Sequence, residues 1–248
     1  MPRVLLLGGT TEASALARLL ADGRMPAVFS YAGRTEAPIP QPLPMRTGGF
    51  GGVEGLADYL KSEGITQVID ATHPFAAGMS RNAVAACTQA GVPLLAVERR
   101  PWAEEPGDRW HHVPDYQGAA ALLPTERTSV FLAIGRQNVA AFAGLPHRFL
   151  LRFAEFDARQ SVPLNASLIV ERGPFDYEQE LWLLRSHRVR WMVTKNAGGS
   201  AARAKIDAAR RLQVEVVMID RPALPPRETV ETAVQAMEWL GHHADLGL

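Results

Sequence analysis

The chain has 248 residues, of which 47% are apolar and 21% are charged, and its 26 basic and 26 acidic side chains leave no formal net charge at pH 7. This balance gives no global reason to expect binding to nucleic acid or to a membrane, and the length suits one large domain or two small ones. The single cysteine, Cys87, excludes an internal disulfide and a multi-cysteine metal site. Without a long apolar run or a long apolar face, the sequence predicts a cytoplasmic monomer.

The first predicted strand, Val4–Leu7, ends in a glycine turn, GGTTE, at residues 8–12. Apolar residues at helical spacing then continue to Asp22, so the turn lies at a helix N-terminus. The N–H groups of such a terminus attract anions, which favours a phosphate of a nucleotide or dinucleotide. The turn departs from the G-x-G-x-x-G pattern, and an ordinary strand-to-helix turn is the alternative.

The second predicted strand, Ala27–Tyr31, ends without the acidic residue that selects NAD in dinucleotide-binding folds. Arg34 follows instead, and an arginine at this place suits the 2′-phosphate of NADP. A solvated loop arginine is the alternative interpretation. The strand end therefore favours NADPH over NADH as the cofactor.

Two later segments also point to a ligand. Residues 47–52 contain four glycines, which are costly to order, so we expect the backbone to approach a ligand closely there. A predicted strand over 65–70 leads into His73, and ligands of open parallel sheets bind at the carboxyl ends of strands. His73 could contact an anion or supply a proton, or it could only anchor the turn at Pro74.

The alternation of strands and helices predicts an α/β fold in two domains. A helix over 78–90 and a strand over 93–97 complete the first domain, residues 1–98. The regular pattern stops over 99–114, which we interpret as a linker, and it resumes in a second domain, residues 115–248. The predicted strands of that domain cover 129–134, 147–153, 168–171, 190–194 and 214–220, and its predicted helices begin near 136 and 176 and cover 201–212 and 229–240.

Several common active-site patterns are missing from the sequence. There is no G-x-S-x-G elbow, no P-loop and no tyrosine followed four residues later by lysine, which argues against a hydrolase, a P-loop NTPase and a short-chain dehydrogenase. The adjacent His111 and His112 point apart in a strand and lack a third ligand, so no metal site is predicted.

Cationic side chains stand instead at the predicted strand ends of the second domain. Arg136 and Lys195 follow two of these strands, and Arg152 and Arg203 are further candidates. Convergent cations without a metal site suit a polyanionic organic substrate.

Four blocks, GGTTEA at 8–13, TGGFG at 47–51, DATHPFA at 70–76 and TKNAGG at 194–199, together resemble the precorrin-6x reductase family. They occur in the family's order and run through nearly the whole chain. The resemblance implies an enzyme of cobalamin biosynthesis with two Rossmann-like domains, mainly parallel sheets and an active site in the cleft between the domains. It implies that NADPH reduces a ring double bond of precorrin-6A to give precorrin-6B. A related branch of the family reduces the cobalt-containing substrate with NADH.

The resemblance and the residue patterns together assign the site. The first domain is expected to bind NADPH, and the second is expected to face the tetrapyrrole. Cofactor binding is expected from Gly9, Thr10, Thr11, Glu12, Arg34, Thr47, Gly48, Gly49, Phe50 and Thr72. Substrate binding is expected from Arg136, Lys195, Asn196, Gly198, Gly199 and Ser200. Asp176 and His73 are the candidate proton donors, with solvent as the alternative, although Asp176 also stands where a helix N-cap is expected.

Three other functions also fit these sequence patterns. A non-catalytic, dinucleotide-binding regulatory module would also have a polar cleft without a conventional catalytic dyad. The NADH-dependent cobalt-precorrin branch is a second alternative. A reductase or epimerase of a sugar nucleotide is a third, and the missing tyrosine–lysine pair counts against it.

Overall fold

The structure is a computed structural model that describes residues 3–33, 38–156 and 165–245. The chain forms two compact units, one comprising Met1–Arg100 and Pro222–Leu248 and the other comprising Pro101–Arg221. Each unit contains a six-stranded sheet in which the paired strands are parallel. The predicted α/β class with parallel sheets is therefore confirmed. Within the described part of the chain, no helix has the length and apolarity needed to span a membrane.

The helices and strands have the following bounds, in chain order: β1 (Val4–Leu7), α1 (Thr11–Asp22), β2 (Ala27–Tyr31), β3 (Met45–Thr47), α2 (Gly52–Ser62), β4 (Gln67–Asp70), α3 (Ala77–Ala90), β5 (Leu94–Val97), β6 (Trp110–Val113), α4 (Tyr116–Leu122), β7 (Ser129–Ala133), a 3₁₀ helix (Arg136–Phe142), β8 (Arg148–Phe153), β9 (Ala166–Val170), α5 (Tyr177–Ser186), β10 (Trp191–Lys195), α6 (Ala204–Leu212), β11 (Glu215–Ile219), β12 (Glu228–Val230) and α7 (Ala233–Asp245).

The sheet of the first unit has the strand order of a dinucleotide-binding fold. Its order is β3-β2-β1-β4-β5-β12, which matches the 3-2-1-4-5-6 order with β12 in the sixth place. The order reverses between β1 and β4, where Leu7 pairs with Asp70. Ligands of such sheets bind outside the carboxyl ends of the strands at this reversal.

The sheet of the second unit has the same strand arrangement, but its sixth strand comes from a different position in the sequence. Its order is β9-β8-β7-β10-β11-β6, so β6 occupies the sixth place although it comes first in this unit's sequence. The reversal lies between β7 and β10, where Ala133 pairs with Thr194. The segments that follow these two strands therefore meet at the same edge of the sheet.

The apolar pattern of β1 explains how the first unit packs. All four residues of this strand are buried, as expected for a central parallel strand. Leu6 packs on one face against α1 and against Trp239 of α7. Leu5 and Leu7 pack on the other face against α2 and α3. The first sheet is thus covered by helices on both faces.

Two predicted segments differ from the structure. The segment 99–114, interpreted as a linker, contains β6, which pairs with β11 in the second sheet. The segment 229–240, predicted as one helix, begins in β12, and α7 starts only at Ala233. Both strands are short and lie at sheet edges, where pairing with a strand distant in sequence decides the conformation.

The compact units also differ from the predicted division at residues 98 and 115. Residues 222–248 return to the first unit, because β12 pairs with β5 and α7 packs against α1. Local patterns showed the two layers of strands and helices, but they could not show which sheet receives the last strand.

Candidate functional site

The turn after β1 is shaped by two glycines. A Cβ atom added at Gly8 would lie 2.1 Å from the Phe29 ring, so no other residue fits there without displacing the core. Gly9 has φ +130°, a backbone conformation that residues with a side chain rarely adopt. No atom lies within 4 Å of a Cβ added at this position. The turn therefore leaves room at the start of α1 for a bound group.

Thr10 caps α1 and joins it to the neighbouring strand end. Its Oγ1 atom accepts a hydrogen bond from the N–H of Ala13 at 3.1 Å and donates to the carbonyl of Ala71 at 2.8 Å. The cap satisfies one of the four N–H groups that a helix leaves without intrahelical acceptors. The structure thus brings Thr10 and the 70–76 block together at the reversal of strand order.

Glu12 lies in the first turn of α1 and forms an ion pair with Arg99, which follows β5. The distance from Arg99 Nη1 to Glu12 Oε2 is 2.8 Å, and the two side chains are 17% and 22% exposed. The Thr11 hydroxyl donates to the same oxygen at 3.1 Å. No sequence pattern pointed to Arg99, because the pair joins residues far apart in the chain.

The end of β4 is held by a buried carboxylate. Asp70 accepts hydrogen bonds from the Thr72 N–H at 3.1 Å and from the Thr72 hydroxyl at 2.7 Å. His73 Nδ1 accepts from the Phe75 N–H at 3.2 Å, which anchors the turn at Pro74. Because Nδ1 is the acceptor in this contact, the neutral ring carries its proton on Nε2.

Arg46, on β3, organises the glycine loop at 47–52. Its guanidinium donates to the Ser30 hydroxyl at 2.8 Å and to the carbonyls of Gly48 and Gly49 at 3.0 and 3.1 Å. It also stacks on the Phe50 ring at 3.7 Å from the centroid. Three of the loop residues predicted to bind the cofactor are therefore held by one side chain, for which the sequence carried no signal. Arg34, the predicted 2′-phosphate ligand, lies outside the described residues.

Cys87 is not equipped for nucleophilic chemistry. Burial, reinforced by the charge of Asp70, raises the pKa of its thiol to about 12. The thiolate is the reactive form, so this side chain behaves as a small apolar residue of the core around Leu7.

The second unit places the predicted substrate-binding segments side by side. Arg136 begins the 3₁₀ helix just after β7, and Lys195 ends β10, the neighbouring strand. Ser200 follows Lys195 in the glycine segment that precedes α6. Arg136 and the segment 195–200 therefore lie at the reversal of the second sheet.

Asn196 is buried and holds the backbone of Trp102. Its Oδ1 atom accepts from the Trp102 N–H at 2.8 Å, and its Nδ2 donates to the Trp102 carbonyl at 3.0 Å. The Trp102 indole donates to the Gly199 carbonyl at 2.7 Å, and Arg221 donates to the Asn196 and Ala197 carbonyls at 3.0 and 3.1 Å. These contacts fix the path of the segment 195–200. Both polar atoms of the Asn196 side chain bond to the Trp102 backbone, and its role in substrate binding stays a prediction.

Asp176 caps α5. Its carboxylate accepts from the Gln179 N–H at 2.8 Å, and the Gln179 side chain accepts from the Asp176 N–H at 3.0 Å, which forms a capping box. This is the structural role that the sequence offered as the alternative to proton donation.

The further cationic candidates of the second unit have acidic partners. Arg152 contacts Glu180 at 2.6 Å and stacks on Phe175 at 3.7 Å. Arg203 contacts Asp207 at 2.9 Å and Glu105 at 2.5 Å. Their charges are therefore compensated within the second unit. In the described part of the chain, no group of three or more His, Cys, Asp or Glu side chains is arranged to hold a metal ion.

Comparison with known proteins shows a matching protein family and similar relatives. The family model described as precorrin-6x reductase CbiJ/CobK matches residues 3–241. A precorrin-6A reductase of Rhodobacter capsulatus is 55% identical over 245 residues, which cover 98% of this chain and 97% of that protein. A cobalt-precorrin-6A reductase of Priestia megaterium is 29% identical over 183 residues, which cover 69% of this chain and 71% of that protein.

One solved structure has the same fold over its whole length. It is described as CobK precorrin-6A reductase, is 54% identical to this chain, and superposes with a TM-score of 0.94 over 98% of this chain and 97% of its own. At this identity and TM-score the two chains share the fold.

Proposed function

Because the chain belongs to the precorrin-6x reductase CbiJ/CobK family, we propose that it reduces precorrin-6A to precorrin-6B in cobalamin biosynthesis, with NADPH as the reductant. The observation that carries this proposal is the full-length similarity to a precorrin-6A reductase, at 55% identity. The glycine turn at the reversal of a dinucleotide-type sheet supports it independently, because a reductase of this kind needs a nicotinamide cofactor.

The first unit is the better place for the cofactor. Its β1 leads into α1, a helix of 12 residues, whereas β7 of the second unit leads into a 3₁₀ helix of seven residues. Only the longer α-helix offers a substantial dipole and a full turn of N–H groups to a diphosphate. The open space beside Gly9 fits this group.

The remaining cofactor contacts follow from this placement. Gly9, Thr10 and Thr11 would hold the diphosphate. Glu12 would accept from the neighbouring ribose, and Arg34 would bind the 2′-phosphate. Thr72 and the loop 47–50, which Arg46 holds, would lie along the cofactor toward the nicotinamide.

The second unit would bind the carboxylates of the macrocycle. Arg136 and Lys195 provide positive charge, Ser200 provides a hydroxyl, and the N–H groups of Gly198 and Gly199 provide further donors. When bound, NADPH supplies a hydride to an electron-poor carbon of the ring system. The contribution of the chain is then to hold the macrocycle in one orientation, since correct placement of the two reactants removes most of the entropic barrier.

Reduction also requires a proton at the adjacent carbon of the macrocycle. His73 Nε2 and the Asp176 carboxyl are the side-chain candidates, and solvent is the alternative. The capping box occupies the Asp176 carboxylate, and His73 Nδ1 accepts the Phe75 N–H, a contact that requires Nδ1 to carry no proton. Both contacts are structural, so they favour neither side chain over the other, and solvent stays the alternative.

The metal-free substrate is favoured over the cobalt-containing one. The relative described as a cobalt-precorrin-6A reductase matches with 29% identity over 69% of this chain, far below the 55% over 98% of the precorrin-6A reductase.

The test is a turnover assay with the purified protein. We expect NADPH to be consumed and the chromophore to bleach when the protein is incubated with an enzyme mixture that generates precorrin-6A. A parallel reaction contains cobalt-precorrin-6A and NADH. Binding of NADPH without consumption in either reaction would instead support the regulatory module, and faster turnover in the cobalt reaction would support the other branch.

The cofactor preference has its own test at Arg34. We expect Arg34→Ala to raise the KM for NADPH by the equivalent of about 1–3 kcal/mol, as for loss of a charge-assisted hydrogen bond, with little change in the KM for NADH. Arg18→Ala, on the exposed side of α1, is the matched control. Equal losses with both cofactors would contradict the assignment of Arg34 to the 2′-phosphate.

A further inference from the structure

A carboxylate stands where the proposed function places a diphosphate. Glu12 is in the first turn of α1, directly after the Gly9 turn. An uncompensated negative charge at this position would repel the diphosphate and offset the attraction of the helix N-terminus. The proposed site therefore needs a counter-charge for Glu12.

Arg99 supplies this counter-charge from a distant strand. In the sheet, β4 lies between β5 and β1, so the ion pair joins the end of β5 to the start of α1 across one intervening strand. It contacts Glu12 at 2.8 Å, and both side chains are more than three-quarters buried. A partly buried pair of this kind is screened less by water and salt than a surface pair.

No other cation described at this edge is similarly committed to Glu12. Arg227 is paired with Glu98 instead. Without Arg99, the ends of β1, β4 and β5 would therefore carry an excess of negative charge beside the proposed diphosphate. Such a site would bind a dinucleotide poorly.

We propose that Arg99 is a positioning residue of the cofactor site, which neutralises and holds Glu12 so that the N-terminus of α1 can accept the diphosphate. The inference rests on the proposed function and extends it to a residue outside the four family-like blocks. Arg99 acts on the part that NADPH and NADH share, so its effect is equal for both, unlike that of Arg34.

The experiment measures binding of NADPH, NADH and ADP-ribose to the full-length protein by titration calorimetry. The variants are Arg99→Met, Glu12→Gln, the double variant, and Arg18→Met as a control for the loss of one exposed arginine on α1. We expect Arg99→Met to raise the Kd of all three ligands at least tenfold and Glu12→Gln, which keeps an acceptor oxygen, to lower it. The double variant returns the Kd to within about threefold of the wild type, and Arg18→Met leaves it unchanged.

A purely structural ion pair gives a different result. Arg99→Met and Glu12→Gln break the same pair, so their melting temperatures fall together, while their effects on Kd are opposite only if Arg99 neutralises Glu12. The inference is wrong if the double variant binds as weakly as Arg99→Met, if Glu12→Gln weakens binding equally, or if only NADPH is affected. If the wild type binds none of the three ligands, the proposed function itself fails, and the inference fails with it.

Discussion

Single buried side chains give this protein a pH-dependent stability that its balanced composition does not indicate. His147 is completely buried in the second unit, and its Nδ1 atom accepts from the Thr128 N–H at 3.3 Å. Its Nε2 atom is buried without a hydrogen-bond partner among the described residues, and the ring packs against Phe149 at 5.8 Å. Burial lowers the pKa of His147 from its ordinary value of 6.5, so the folded protein keeps the ring neutral.

We expect the protein to lose stability as the pH falls below about 6.5. Below this pH the unfolded chain protonates His147 and the folded chain does not, so unfolding takes up a proton and the free energy of unfolding decreases. One proton contributes at most about 1.4 kcal/mol per pH unit. Urea denaturation at pH 8 and pH 5.5 measures the difference.

The matched variants are His147→Gln and His242→Gln, which removes an exposed histidine of α7. We expect the first to flatten the dependence on pH and the second to leave it as in the wild type. An unchanged pH dependence in His147→Gln would contradict the role of this residue.

At the scale of elements, each glycine-rich segment is shaped by a polar side chain next to it. Arg46 holds the loop 47–52 through the carbonyls of Gly48 and Gly49. Asn196 and Arg221 do the same for the segment after β10. Glycines alone would leave these segments mobile, so the polar contacts give them one conformation.

Asn196→Ala tests this arrangement in the second unit. The substitution leaves the N–H and carbonyl of Trp102 without their side-chain partners, and we expect the free energy of unfolding to fall by about 1–3 kcal/mol. Hydrogen exchange should become faster at Trp102 and over 197–200. Gln137→Ala, which removes an exposed amide near β7, is the control and should change neither quantity. A loss of substrate affinity with unchanged stability would instead support direct substrate binding by Asn196.

At the scale of the whole chain, the sixth strand of each sheet comes from outside the run of strands and helices that forms the other five. The first sheet takes β12 from the C-terminal segment, and the second takes β6 from the segment predicted as a linker. Trp239 of α7 belongs to the core of the first unit, and its indole donates to Glu228 at 2.8 Å. The C-terminal segment therefore stabilises the unit that is encoded at the other end of the chain.

Trp239→Ala should destabilise the first unit by about 3–5 kcal/mol, because it empties a large site in the core. In hydrogen exchange on the full-length protein, we expect faster exchange in α1 and β5 and unchanged exchange in β7 and β10. Trp182→Ala, which removes a tryptophan that is 68% exposed, is the control and should have little effect. Faster exchange confined to the second unit would contradict this assignment of α7.

The amino-acid pattern alone predicts the fold class, most of the strands and helices, and the strand ends at which the candidate site lies. These features depend on local patterns, such as the buried run of β1, the glycine turn after it and the helical spacing of α1. The roles expected for the residues at those strand ends stay predictions, and Arg34 lies outside the described residues.

Long-range contacts in the folded chain determine which segments complete the sheets and which side chains hold the candidate site. Three such contacts join residues that are far apart in the chain. They are the pairing of β12 with β5, the ion pair of Arg99 with Glu12, and the hydrogen bonds of Asn196 to the Trp102 backbone. These contacts stabilise the protein through pairing and burial that exist only after folding. A local pattern of residues therefore cannot predict them.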